Sequence, residues 1–506
     1  MLSTLALIVI FCLLYHIFAV VWNVYRHPLH RIPGPKLWVA FPLLRYISNA
    51  RGRLDIDIRA FHNKYGEAVR FSPDEVSFIT PQAWKDIYGH GHQQMPKVRG
   101  SASNPKDIIS ANDVDHTRYR KAMAHAFSAK GFQAQEPFLL GYVDKLIQRL
   151  HDIAESQLPV NMVKWYNLTT FDLIGDLAFG ESFGGLDSSE YHHWVSTIFE
   201  FIRALAFIKL KDYYPLVFRV VAPFLPKHLK EARRRQQDHS RITVQKRLHN
   251  QRDRGQADFM ESMLRHRGEK DGLTDEELEA NASIIIIAGS ETTATLLSGL
   301  TYLLCRNPEA MEKVTREVRS VMQTETDITI HNATAHLPYM LACIDEAFRM
   351  YPPVPSGLQR ITPTTLIDIS GYLVSPNVGC APCSQRPYAD SSQTKVAVHQ
   401  SAANLSRLNF YEPNKFIPER WLPECKNDPS SPFYRDNRDV VQPFSVGPRN
   451  CIGRNLAYAE MRVILARVLW NFDIELCEES RDWYNQKSYS LWEKPPLMCK
   501  LRARAH

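Results

Sequence analysis

The chain opens on an apolar run. Leu2 to Trp22 is broken only by Ser3, Thr4 and His16. About 20 such residues, rising roughly 1.5 Å each as a helix, cross the hydrocarbon of a bilayer. Arg26, Arg31 and Lys36 follow, so the positive-inside rule places the remainder on the cytosolic side. A cleaved signal peptide is the rival reading, but its basic n-region and cleavage site are missing. Arg31-Ile-Pro-Gly-Pro-Lys36 then reads as a stiff, non-helical link. We expect an anchor over residues 1–25 and one large body over 26–506.

Inside that body the pattern alternates between periods of two and of 3.6. Glu67–Phe71 and Glu75–Thr80 flank Ser72-Pro-Asp74 and predict a β-hairpin. Residues 89–114 are polar and read as a mobile loop. A helix opening at His116-Thr-Arg-Tyr-Arg120 puts His116 and Arg120 on one face. Several helical periods cover 140–250, with Lys227, Lys230, Arg233, Arg234 and Arg235 on what reads as a solvated face touching lipid headgroups. Thr274 and Glu277 form a capping box, and the helix they start runs to Cys305, where Asn307-Pro308 stops it. That is about 31 residues, or roughly 45 Å, enough to cross the whole molecule.

The long helix carries an interruption, Ala288-Gly-Ser-Glu-Thr-Thr293, straight after the run Ile284–Ile287. Gly289 costs about 1 kcal/mol in a helix interior, and Glu291 and Thr292 add polar groups. A ligand lying against the helix would account for that cost, and a helix-packing notch is the alternative. Downstream, Glu346-Ala-Phe-Arg349 sits on a helix ended by Pro352-Pro353, so its ion pair shares one face. Gly371–Asn377 and Val396–Gln400 read as adjoining strands. Between them, 378–395 has no periodicity and many turn formers. Deleting 378–393 would join Pro376-Asn377 to Thr394-Lys395 as a short turn, so that stretch reads as a retained intron, with a genuine surface loop as the alternative.

Composition changes the picture little. Hydrophobic residues make up 44% of the 506, ample for a large core. The net charge of +7, from 61 basic and 54 acidic residues, fits anionic lipid or an acidic partner and not nucleic acid. Nine scattered cysteines suit reduced thiols better than a disulfide framework. Cys380-x-x-Cys383 has no second pair nearby and is not read as a zinc site. Four Asn-x-Ser/Thr sequons, at Asn167, Asn281, Asn332 and Asn404, would escape glycosylation on this topology.

The candidate chemistry lies in Phe444-Ser-Val-Gly-Pro-Arg-Asn-Cys451-Ile-Gly453. Gly453-Arg454 opens a helical pattern from Leu456 to Leu469, and a cysteine at a helix N-terminus is favoured as thiolate. Gly447 and Gly453 would let the backbone pass close to a flat ligand, and Phe444 can cover the sulfur. A thiolate is one of the axial ligands that haem iron takes.

The spacing F-x-x-G-x-R-x-C-x-G resembles the haem-binding signature of the cytochrome P450 family, and two further motifs precede it in the correct order. The resemblance runs from about residue 30 to the end. It implies a mainly α fold with small β-sheets, one catalytic domain behind the anchor, and haem b with Cys451 as axial ligand to the iron. It places Arg449 and Phe444 beside the cofactor, assigns one propionate to His116 and Arg120 and the second to Arg360, and has Gly289 admit O₂. Glu291 and Thr292 would relay protons, while Glu346, Arg349 and Arg420 (from Phe416-Ile-Pro-Glu-Arg420-Trp421) would form a structural network holding the cysteine loop. It further implies NADPH–cytochrome P450 reductase as electron donor, with cytochrome b5 as an optional second one. The topology becomes a single-pass endoplasmic reticulum protein with a cytosolic catalytic domain. The motifs look most like filamentous-fungal enzymes of secondary metabolism, including sesquiterpene hydroxylases, which points to a lipophilic terpenoid or polyketide and to insertion of one oxygen atom from O₂. A family member that rearranges an oxygenated substrate without O₂ is one alternative, against which Thr292 speaks. A haem-binding protein without turnover, should the 378–395 stretch spoil the fold, is another.

Overall fold

The computed structural model describes residues 2–100, 103–249, 258–265, 267, 269, 271–376 and 394–504. Helix α1, Leu2–Val21, leaves Leu7, Phe11, Leu14 and Ile17 exposed. Strands β1 (Ala68–Ser72) and β2 (Glu75–Phe78) form the expected antiparallel hairpin. Both are buried along their whole length, so the polar positions of the alternation need internal partners. They have them: Arg70 Nη1 donates to the Asn23 carbonyl at 2.9 Å, Arg45 Nε donates to Glu75 at 3.1 Å, and Ser77 Oγ lies 2.7 Å from the His62 ring.

Helix α2 (Asp113–Met123) is capped by Asn112, whose side chain accepts from the Asp115 amide. Helices α3 (Ala129–Ser156), α4 (Met162–Phe179), α5 (His193–Tyr213) and α6 (Pro215–Val221) follow. Helix α7 spans Asp275–Arg306. Its capping box is made as expected, with the Glu277 amide donating to Thr274 Oγ1 at 3.3 Å and the Thr274 amide to Glu277 Oε2 at 2.9 Å. Its 32 residues are long and apolar enough to cross a membrane, but 78% of its most apolar stretch is buried, so it is the core helix against which α4 packs. Helices α8 (Pro308–Val321) and α9 (Pro338–Met350) pack beside it.

Strands β3 (Arg360–Ile361) and β6 (Lys395–Val398) extend the hairpin into a sheet of order β1-β2-β6-β3. Between them in sequence, β4 (Ile367–Ile369) and β5 (Tyr372–Val374) form a separate hairpin whose turn, Ser370-Gly371, has φ of 55° and 81°, the positive values a tight two-residue turn demands. The expectation that Gly371–Asn377 would lie beside the strand at Val396 therefore fails, because β5 pairs with β4 and β6 with β2 and β3. Residues 378–393 lie outside the described residues. Their flanks do meet, since Thr394 Oγ1 donates to the Ser375 carbonyl at 2.8 Å. Lys395, read as the end of the atypical stretch, opens β6, and Thr394 before it exchanges hydrogen bonds with Thr362. Helix α10 (Arg454–Asn471) leads into β7 (Phe472–Leu476), which pairs with β8 (Met498–Ala503).

The fold thus agrees with the expected mainly helical chain bearing small sheets. The described residues of 89–112 are irregular, as expected, but tethered, and 113–114 already belong to α2: Asn281 of α7 accepts from the Ile108 amide at 2.8 Å and donates to the Lys106 carbonyl at 3.0 Å. Asn167, Asn281 and Asn404 are fully buried, so three of the four sequons are closed to modification whatever the topology.

Candidate active site

The cysteine loop is held by its own backbone. The Cys451 amide donates to the Phe444 carbonyl at 2.9 Å, closing Phe444–Cys451 into a compact turn with Ser445 at φ 58° and Gly447 at φ 75°. A Cβ on Gly447 would lie 1.7 Å from the Tyr88 carbonyl oxygen, so the loop packs on the protein itself there. A Cβ on Gly453 would make only ordinary contacts, 3.8 Å from Phe127 and 4.0 Å from Cys451 Sγ. The Tyr88 backbone thus accounts for Gly447, while the space beside Gly453 is open. The Phe444 ring packs on Phe348 and Tyr458, with centroids 5.3 and 5.1 Å away.

Cys451 is accessible although it sits deep in the molecule, so its thiol lines a recess. Burial pushes the thiol above its ordinary pKa; the Gly453 amide and the charges of Arg120 and Arg454 pull the other way and lose. The expected helix-terminus thiolate is therefore not the preferred state of the protein alone. A metal ion would reverse the balance, since a coordinating thiol is deprotonated outright.

Behind the loop, Glu346, Arg349 and Arg420 come together as anticipated, all fully buried. Glu346 accepts from Arg349 Nε (2.8 Å) and Nη2 (2.7 Å), Arg420 Nε (3.2 Å), Trp421 Nε1 (2.9 Å) and the Ile417 amide (2.9 Å). Arg349 in turn donates to the carbonyls of Asn404, Pro413 and Lys415. Asp436, which motif reading missed, pairs with Arg420 and completes the charge balance.

A second convergence forms around Arg449 of the same loop. Arg449 donates to Asp113 at 2.5 Å and to the Ala111 carbonyl at 3.1 Å, while its Nη1 is buried without a partner. Arg360 is buried with its guanidinium 5.1 Å from the centre of the Tyr88 ring. Lys97, also missed, bridges to β3 through its backbone and is pushed down to about 7 by burial and by Arg360 and Arg449. His116 falls to about 3 through burial and the charges of Arg449, Lys97 and Arg120, so it is neutral near pH 7. Arg120 donates to the Asn450 carbonyl (2.7 Å) and side chain (2.6 Å), so it braces the cysteine loop directly. Three arginines and a lysine thus face few acids, chiefly Asp107 and Asp113. Nothing in the local sequence distinguishes Lys97; only the pairing with Arg360 brings it in.

Helix α7 carries the remaining candidate residues. In its buried middle Ala288 is exposed and Thr292, one turn on, is half-buried, so this stripe faces open space. The Thr292 hydroxyl donates to the Ala288 carbonyl at 2.7 Å. Gly289 looks elsewhere: a Cβ there would lie 3.0 Å from Ile174 of α4, which makes it the packing notch rather than the admitting gap. Glu291 does not share the open face. It is buried, with Oε1 bound to Lys494 Nζ at 2.6 Å and Oε2 lacking a partner.

An accessible thiol, an uncompensated cationic cluster and an unpartnered buried guanidinium NH fit a planar iron complex carrying two carboxylates. Haem b is such a group, so the residues present fit it. A separate cleft of about 1140 Å³, lined by Cys305, Arg319 and Cys477, contains none of these groups.

The family model for cytochrome P450 matches residues 32–501. The chain is 56% identical over 504 residues to the cytochrome P450 monooxygenase olcB of Penicillium canescens, covering 100% of this chain and 99% of that protein. It is 54% identical to the trichothecene C-4 hydroxylase of Trichoderma arundinaceum, over 96% of this chain and 94% of the relative. It is 44% identical to the cytochrome P450 monooxygenase dtxS2 of Metarhizium robertsii, over 96% and 91%. The cysteine loop, the buried ionic network and this full-length similarity make the chain a member of the cytochrome P450 family, akin to fungal monooxygenases of secondary metabolism.

Proposed function

We propose that the protein is a membrane-anchored monooxygenase that inserts one oxygen atom from O₂ into a lipophilic small molecule, a terpenoid or polyketide, with electrons from NADPH through a reductase. The observation that carries this reading is the accessible Cys451 in its closed loop, beside Arg120, which acts on the thiol and also meets His116 together with Arg449 and Lys97. Haem bound there supplies O₂ activation at its iron, the thiolate pushing electron density toward O–O cleavage. Cys451 would be the iron ligand; Arg360, Arg449, Lys97 and the neutral His116 would hold the propionates. Thr292 would hold a proton at its hydroxyl on the open stripe, with Glu291 behind it as the carboxylate that relays protons. The likeness to a trichothecene hydroxylase supports hydroxylation over rearrangement. Carbon-monoxide difference spectra of the reduced protein, followed by NADPH-dependent turnover with reductase, test the reading: spectrum without turnover leaves a haem binder, and no spectrum ends it.

Thr292→Ala should keep full haem content and substrate-induced spin shifts while product per NADPH falls about a hundredfold, the low end of what a placed proton donor contributes, with peroxide released instead. Unchanged product per NADPH would make Thr292 a packing residue.

We place the protein in the endoplasmic reticulum membrane through α1, with the body cytosolic. Residues 2–21 as helix reach about 30 Å, the thickness of bilayer hydrocarbon. Leu216, Val220 and Phe224 are also exposed after Tyr214, whose ring packs on Tyr46 near the N-terminal segment. Deleting residues 1–25 should therefore lower membrane recovery several-fold while leaving haem content intact and some residual association at that second apolar edge. Loss of haem in the truncated protein would contradict the division into anchor and body.

A further inference from the structure

The buried pair between α7 and the C-terminal segment is unusual in its cost. Glu291 and Lys494 side chains are each 2% exposed and 2.6 Å apart. Removing two charges from water costs several kcal/mol per ion, so such a pair seldom adds stability over apolar residues. Lys494 Nζ also donates to Thr295 Oγ1 at 2.6 Å, one turn along α7 from Glu291. Burial raises the Glu291 pKa and lowers that of Lys494, and each charge opposes the other's shift. The other titratable groups facing Glu291 are Tyr191 and Tyr351, both pushed up by burial and neutral near pH 7. Lys494 is thus the counter-charge that these contacts supply.

The backbone holds that lysine in place on both sides. Trp492 stacks on Tyr351 at 4.8 Å and donates through Nε1 to the Pro352 carbonyl at 2.8 Å. Trp483 Nε1 donates to the Pro495 carbonyl at 2.8 Å, and the Leu497 amide to Asn161 at 3.1 Å. Alternation along the segment sends Glu493 outward to Arg203 of α5 at 3.0 Å and Lys494 inward to Glu291.

We infer that Lys494 is a positioning residue for Glu291: it keeps the carboxylate ionised and turned to one side of α7, with Oε2 as the free oxygen that takes up and passes on the proton. The role in turnover rests on the monooxygenase reading above; the control of ionisation does not.

The test uses full-length holoenzyme with Lys494→Met, Lys494→Arg, Glu291→Gln and the Lys494→Met/Glu291→Gln double variant. Infrared difference spectra of resting protein at pH 7 should show a protonated-carboxyl stretch in Lys494→Met that is absent from the wild type, from Lys494→Arg and from the double variant. In turnover, Lys494→Met should lose about tenfold in kcat, with KM and the substrate-induced spin shift unchanged because the ammonium is sealed from the open face. Lys494→Arg should recover most of it. A Lys494→Met spectrum without the carboxyl band, or with a band that persists in the double variant, overturns the inference. If the band behaves as stated but Glu291→Gln couples like the wild type, Lys494 still governs the ionisation of Glu291 and the proton-delivery part falls.

Discussion

Cys451→Ala is expected to abolish the thiolate-type spectrum of the reduced carbon-monoxide complex and to bring product below detection. Of the other free thiols among the described residues, Cys343 and Cys499 are buried, Cys305 and Cys477 line the separate cleft, and Cys425 lies on the short helix Pro423–Lys426. The neighbouring Arg449, Arg120 and Arg360 carry no lone pair for iron, and the neutral His116 or a deprotonated Lys97 would offer nitrogen, which does not give a thiolate-type spectrum. The loop itself should survive, because its closing bond is made by the Cys451 amide and the Phe444 carbonyl and not by the sulfur. The variant should therefore be soluble and unfold at nearly the temperature of haem-free wild type. Retention of the thiolate spectrum would remove the core of the functional reading. Cys451→Ser separates ligand from volume, since it keeps the size but offers a hard oxygen in place of a soft sulfur.

Glu346→Ala should fail earlier, at folding. The carboxylate accepts five hydrogen bonds from Arg349, Arg420, Trp421 and Ile417, and both guanidiniums are 0% exposed. Deleting it leaves Arg349 with carbonyl partners only and Arg420 with Asp436 and one carbonyl. Removing one partner of a buried ion pair costs about 3–5 kcal/mol, against a total stability of roughly 5–15 kcal/mol for a typical protein. The expected result is little soluble protein and little bound haem, read from the absorbance ratio of haem to protein and from denaturant unfolding. Glu346→Gln keeps the shape and should fall between wild type and Ala. Wild-type unfolding of the Ala variant would mean that the network is not what holds the loop.

These outcomes depend on features that were unequally legible in the sequence. The capping box at Thr274, the Glu346–Arg349 pair and the closed turn at Cys451 are each made within ten residues, so spacing alone places their atoms within reach. The hairpin at 68–78 was legible for the same reason. Its burial on both faces was not, because that depends on His62, Arg45 and Asn23 arriving to satisfy polar side chains. The strand after Gly371 was read against the wrong neighbour, since alternation marks a strand but does not choose its partner. Gly289 and Gly447 were both assigned to a ligand, and in both cases the protein's own packing uses the space.

By itself the sequence determined the family, the candidate thiol Cys451, the long central helix and the apolar N-terminal run, because each is written in side-chain types at fixed short spacing. Only the tertiary structure decided which groups meet across the chain. Lys494 reaches Glu291 over 203 positions, and Arg449 reaches Asp113 over 336. Lys97 joins Arg360 through strand pairing, and Asp436 balances Arg420 from a neighbouring loop. Charge in a sequence carries no sign of burial, yet burial is what turns these pairs from solvated surface contacts into strong constraints. That is why the chemistry of the candidate thiol was readable from ten residues, while the control of the carboxylate behind Thr292 had to await the packing of the C-terminal segment on α7.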